Sequence, residues 1–102
     1  MKTETGMKMI YTPIIEAIFQ VSGYTLDDLG CRSRRYPLVL FRKIFCLLCN
    51  EEGMNSGSIG DLINRDHSTV IGALKSFNAG EKFDPALFRL LDKVKSKMHD
   101  FA

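Results

Sequence analysis

The stretch "NRDHSTVIGALKSF", Asn64–Phe77, decides how this chain folds. Arg65, Asp66, His67, Ser68 and Thr69 stand in a row, and an apolar helical repeat follows. Buried without partners, such a row would be costly, so it either caps a helix facing water or faces a partner that uses it. Stepping about 100° per residue from Asp66 gathers Val70, Ala73, Leu74 and Phe77 on one side, which must face the core. Ser68, Gly72 and Lys75 fall opposite, flanked by Thr69 and Ser76, while Arg65, Asp66 and His67 project from the amino end. Asp66 suits an N-cap, a first-turn role found in helices of every function.

Working backward, "NSGSIGDLIN" predicts a short helix capped by Ser56 or Ser58, burying Ile59, Leu62 and Ile63, with a tight turn at Asn64. Two short helices joined by so few residues form a helix-turn-helix pattern. All-helical proteins also contain such corners without touching DNA, so the pattern alone leaves both a DNA reader and a structural cap open. Further out, Thr12 and Pro13 predict a helix start, with Ile14, Ile15, Ile18 and Phe19 at helical spacing and Gly23 as its stop. Thr25 and Asp28 fit a capping box for a short turn of helix ended by Gly30. Pro37 opens a helix to about Glu52 whose Leu38, Leu40, Phe41, Ile44, Phe45, Leu47 and Leu48 nearly encircle it, the mark of a central buried helix. Last, Asp84 and Pro85 start a helix with the apolar stripe Leu87, Leu91, Val94 and Met98 and lysines in its final turns. No strand pattern or hairpin turn competes. The expectation is an all-α, compact domain of five or six helices: residues 1–11 a flexible N-terminus, 12–80 the helix-turn-helix domain, and 81–102 an additional amphipathic helix packed on it.

Bulk properties narrow the function. At 102 residues the chain is long enough for one modest core. A net charge of +2 does not make a strong general polycation. The distribution matters more, because Arg32, Arg34, Arg35, Arg42 and Lys43 cluster with no acid between Asp28 and Glu51. No apolar run reaches a membrane span and the start lacks a signal peptide's hydrophobic region, so the expected setting is cytoplasmic, with no membrane partner. Cys46 and Cys49 form a C-x-x-C, but inside "LVLFRKIFCLLC" they read as reduced core residues rather than a redox or zinc pair. Asp66 beside His67 lacks a third partner for nucleophilic catalysis. No catalytic residue, metal or cofactor is expected.

The motif carries a resemblance. "RDHSTVIGAL" closely resembles the signature of the DNA-binding C-terminal domain of the bacterial replication initiator DnaA, Arg-Asp-His-Thr/Ser-Thr-Val followed by an apolar residue. "SIGDLI" is similar to the family's Ile-Gly helix before the turn. "SRRYPLVLFRKIFCLL" looks like its basic stretch and central apolar helix, and "IIEAIFQVSGYTLDDL" fits its two opening helices. The resemblance covers about Ile14 to Phe77. It implies a Trp repressor-like all-helical fold that binds duplex DNA at short asymmetric boxes. Matched by position, Arg65, Asp66, His67 and Ser68 would contact bases and Thr69 a phosphate. Arg42 would match the family's minor-groove arginine, with Arg34, Arg35 and Lys43 as backbone contacts; Lys75, on the exposed face of the reading helix, is expected to add a sequence-independent contact. Arg suits guanine acceptors or a narrow minor groove, and Asp can accept from a cytosine amine.

Five positions depart from the family pattern. Asn64 stands where many members carry glycine, Gly72 replaces the usual His, and Leu40 and Phe41 stand where some members carry Arg and Pro. Pro37 is expected to start the central helix early enough to put Arg42 on the helix rather than in the loop. The sequence also holds no G-x-x-x-x-G-K-[ST] loop, so the ATPase that DnaA couples to this module is not expected. The leading expectation is a sequence-specific duplex-DNA-binding module without enzymatic activity, a replication or transcription regulator or a phage or mobile-element accessory, monomeric or weakly dimeric. The alternative is a protein-interaction module on the same fold that has lost DNA binding and meets a full-length initiator or another protein, its terminal helix offering the stripe.

Overall fold

The apolar pattern resolves into six helices, α1 (Lys2–Ser22), α2 (Leu26–Gly30), α3 (Leu38–Glu51), α4 (Ser56–Leu62), α5 (His67–Asn78) and α6 (Pro85–Asp100). The computed structural model describes residues 2–32, 35–78 and 85–100, and no strand occurs among them. The encircled helix is indeed the centre: α3 buries Leu38, Leu40, Phe41, Ile44, Phe45, Cys46, Leu48 and Cys49. Every other helix packs against it, α4 also packs on α5, and α6 on α1. The core closes around α3 with Ile14, Ala17, Ile18, Leu29, Ile59, Ile63 and Val70.

The expected capping box of α2 is present: the Thr25 amide donates to Asp28 Oδ2 at 2.8 Å and the Asp28 amide donates to Thr25 Oγ1 at 3.3 Å. Other boundaries differ. α1 begins at Lys2 and runs through Pro13 instead of starting there. A proline inside a helix deprives the carbonyl four residues back of its donor. Here Pro13 and Met9 are both exposed, so that loss falls on the face turned to water. The cap of α4 is Asn55, not a serine; its Oδ1 accepts from the Ser58 amide at 2.8 Å. Phe19, expected on the apolar face of α1, is 47% exposed, because Ile14, Ala17 and Ile18 already fill the seam. Leu47 and Leu62 are only partly buried. Pro37 is the residue before α3 rather than its first helical one, and Asp84 lies outside the described residues.

The stripe of α6 points inward. Leu87, Leu91 and Val94 are buried in the shared core and Met98 packs against it, while Phe77 and Phe88 meet edge to face with centroids 5.8 Å apart. A radius of gyration of 12.7 Å is that of a folded domain of this length, about 13 Å, so α6 belongs to the body. Cys46 and Cys49 are buried thiols; burial pushes the first up to about 12 and the second also upward. Neither is a ready thiolate.

Candidate nucleic-acid interface

α4 and α5 meet through the turn Ile63–Asp66, and two residues make that corner possible. Asn64 takes φ 55, the left-handed region, which asparagine tolerates better than other residues with a side chain. Asparagine at this position therefore supplies the left-handed residue that the turn uses. Gly60 lies in α4 where the chain crosses it, and the Arg65 amide donates to its carbonyl at 2.9 Å. A methyl group on Gly60 would collide with the Arg65 carbonyl oxygen.

The polar row stands at the leading edge of α5. Asp66, His67, Ser68 and Thr69 are exposed, and Val70 directly behind them is fully buried. Asp66 is the cap: its Oδ1 accepts from the Thr69 amide and from the Thr69 hydroxyl, both at 3.0 Å. Those two bonds, the amide first, hold its carboxyl below the usual carboxylate range. Capping occupies Oδ1 alone, and a carboxylate has a second oxygen to offer. Gly72 and Lys75 continue the exposed face, and Ile71 at 39% exposure adds an apolar patch beside them.

Beside this face runs an open groove of 940 Å³ between α5 and the amino half of α3. Arg32, Arg42, Lys43 and Arg65 line it with Tyr36, Thr69, Gly72 and Ser76, and no carboxylate is among its lining residues. Of the residues expected to form the site, the groove thus gathers Arg42, Lys43, Arg65 and Thr69. Asp66, His67, Ser68 and Lys75 lie outside its lining on the exposed face of α5. Arg35 is exposed just before α3. Arg34 lies outside the described residues.

Two of the arginines are engaged by the protein itself. Arg65 donates from Nη1 to the Ile63 carbonyl at 3.1 Å, the Asn64 carbonyl at 3.2 Å and the Gly30 carbonyl at 3.4 Å, and from Nη2 to the Cys31 carbonyl at 2.6 Å. Arg42 donates from Nε to the Leu29 carbonyl at 2.7 Å and from Nη2 to the Cys31 carbonyl at 3.1 Å. Burial, and then the charge of Arg65, lower the pKa of Arg42. Neither guanidinium projects freely from the surface, although both were expected among the DNA contacts.

Sequence reasoning missed Tyr36 as a groove residue. It is 64% exposed, and its position next to Pro37 in the basic segment was the available sign. Arg32 was visible in the basic cluster, but its place in the groove depends on how α2 ends, which no local pattern states.

Comparison with known proteins identifies the family of this helix-turn-helix. The model of the bacterial DnaA protein helix-turn-helix family matches residues 11–76. The chain is 36% identical over 76 residues to the chromosomal replication initiator protein DnaA 2 of Protochlamydia amoebophila (strain UWE25), covering 72% of this chain and 17% of that protein. It is 27% identical over 74 residues to the protein of the same name from Chlamydia caviae, covering 72% of this chain and 16% of that one. The chain therefore spans about a sixth of the length of these curated relatives. No solved structure matches it. With well over half of its residues under the family model, the chain belongs to the bacterial DnaA helix-turn-helix family.

Proposed function

We propose that this chain is a sequence-specific duplex-DNA-binding module that acts as a replication or transcription regulator without a catalytic step. The observation that carries the proposal is the exposure of Asp66 to Thr69 at the leading edge of α5, beside a groove lined by cations. The second helix of a helix-turn-helix inserts its amino end into the major groove. There Asp66, His67 and Ser68 would meet base edges and Lys75 a phosphate, whereas the Thr69 hydroxyl, whose one hydrogen goes to Asp66 Oδ1 at 3.0 Å, would reach a phosphate only by giving up that bond. Lys43, Arg35 and Arg32 supply charge to the flanking backbone, where phosphate contacts fix orientation without reading sequence.

The stripe of α6, the surface that a protein-interaction module would offer, is buried in the core at Leu87, Leu91 and Val94. That leaves the DNA reading as the better supported. Selection from a random duplex pool tests it. The expected result is one enriched short asymmetric motif, bound with an affinity that falls steeply with salt, as counterion release requires. A pool from which nothing is enriched at low salt would remove the proposal.

A further inference from the structure

Behind the groove, three side chains, Arg42 from α3 and the neighbours Asn64 and Arg65 from the corner, converge on the carboxyl end of α2. A helix end leaves its last carbonyls without helical donors. Here the carbonyls of Leu29, Gly30 and Cys31 all accept from side chains: Leu29 from Arg42, Cys31 from both Arg42 and Arg65, and Gly30 from Arg65 and from Asn64 Nδ2 at 3.3 Å. Leu29 and Gly30 are buried, where an unmet carbonyl is costly. Arg65 also binds the carbonyls of Ile63 and Asn64, on its own turn. Its guanidinium thus bridges the helix-turn-helix corner to the end of α2.

We propose that Arg65 is a positioning residue rather than a base reader: with Arg42 and Asn64 it pins the end of α2 to the corner and so fixes Arg32, the next residue after Cys31, at the groove. This rests on the DNA-binding reading given above. Bidentate recognition of guanine takes a pair of guanidinium N–H groups, and both terminal nitrogens of Arg65 already serve carbonyls, so turning the pair they form toward a base would release the end of α2. The residue type fits the role, because a planar fork of donors reaches several fixed acceptors while the compact ammonium of lysine does not. Two like charges share this small region, and the carbonyl oxygens around them compensate for the repulsion.

The test compares Arg65→Lys, which keeps the charge and loses the fork, with His67→Ala as a direct-reader control. Both are measured on the duplex motif selected by the unmodified chain. Arg65→Lys is expected to weaken binding to all duplexes by a common factor of about ten, a typical size for coupled neighbours, and to leave the ranking of bases unchanged. His67→Ala should change the ranking. Arg32→Ala should cost affinity in the unmodified chain and little more in the Arg65→Lys background. Amide exchange of the free protein at Cys31 and Arg32 should quicken with Arg65→Lys and, to a smaller extent, with Asn64→Gly, which keeps the turn and removes one tie.

A changed preference at a single base pair with unchanged exchange would make Arg65 a reader and overturn the proposal. Additive losses for Arg65→Lys and Arg32→Ala would overturn it as well. If the unmodified chain enriches no duplex, the DNA reading fails separately, and exchange at Cys31 and Arg32 alone decides whether the pin exists.

Discussion

At the residue scale, exposure and hydrogen bonding separate the roles along α5. His67 and Ser68 face solvent; under the proposed function they meet base edges, so replacing either with alanine should cost about 1–3 kcal/mol of discrimination at one base pair. Lys75→Ala should weaken all duplexes alike and lower the salt slope by about one. Binding curves at several salt concentrations distinguish the two, and identical profiles for His67→Ala and Lys75→Ala would contradict the assignment. Asp66 carries a pH dependence. Its carboxyl is held low by the amide and hydroxyl of Thr69, so its contribution is present above the unfolded value and is lost as pH falls through the folded one. Helicity melts from neutral pH down to about pH 3 should show the fold weakening below about pH 4, and Asp66→Asn should flatten that slope. An unchanged acid slope would exclude the cap as its source. Gly72 is exposed in mid-helix, and a Cβ added there meets nothing within 4 Å. Gly72→Ala should therefore stabilise the fold by about 0.5–1 kcal/mol while weakening DNA binding; a raised melting temperature with unaltered affinity would mean that the duplex does not approach there. The polar row's exposure was legible from helical periodicity alone. The carbonyl partners of Arg65 were not, because Gly30 and Cys31 lie more than thirty residues away in the sequence.

At the element scale, the corner between α4 and α5 depends on backbone proximity rather than on side-chain packing. A methyl group at Gly60 would meet the Arg65 carbonyl, part of a backbone that has no rotamer to yield. Gly60→Ala should cost at least the ~1–3 kcal/mol typical of overpacking, seen as a lowered urea midpoint; an unchanged midpoint would show that the two helices can separate freely. The Ile-Gly pair was visible in the sequence, but the reason for glycine became visible only with the crossing chain in place. Boundaries were read less well than elements. Thr12 and Pro13 signal a helix start, yet the helix runs through them, since one lost hydrogen bond on an exposed face is small beside the packing of Ile14, Ala17 and Ile18. Ser56 and Ser58 are plausible caps, yet Asn55 takes the role because its side-chain oxygen reaches the Ser58 amide. Local propensity offers several start sites, and packing selects among them.

At the scale of the whole molecule, α6 completes the core beneath α1 and α3. Leu87→Ala should destabilise the fold by about 2–5 kcal/mol, the range for a fully buried leucine, whereas Glu51→Gln, which breaks the exposed 4.0 Å pair with Lys95, should change it by no more than ~1 kcal/mol. Thermal melts of the two variants check this, and equal effects would mean that α6 is held at its surface and not by its stripe. The inward stripe was legible from the heptad-like spacing of Leu87, Leu91, Val94 and Met98; which helices would receive it was not, because nothing local encodes that pairing. The arginine tie at the end of α2 has a practical consequence. The acceptors that hold Arg65 are neutral peptide oxygens, so mobile ions screen this tie far less than they screen attraction between opposite charges. Molar salt should strip bound nucleic acid from this protein during purification and leave the recognition corner assembled, ready to rebind once the eluate is diluted.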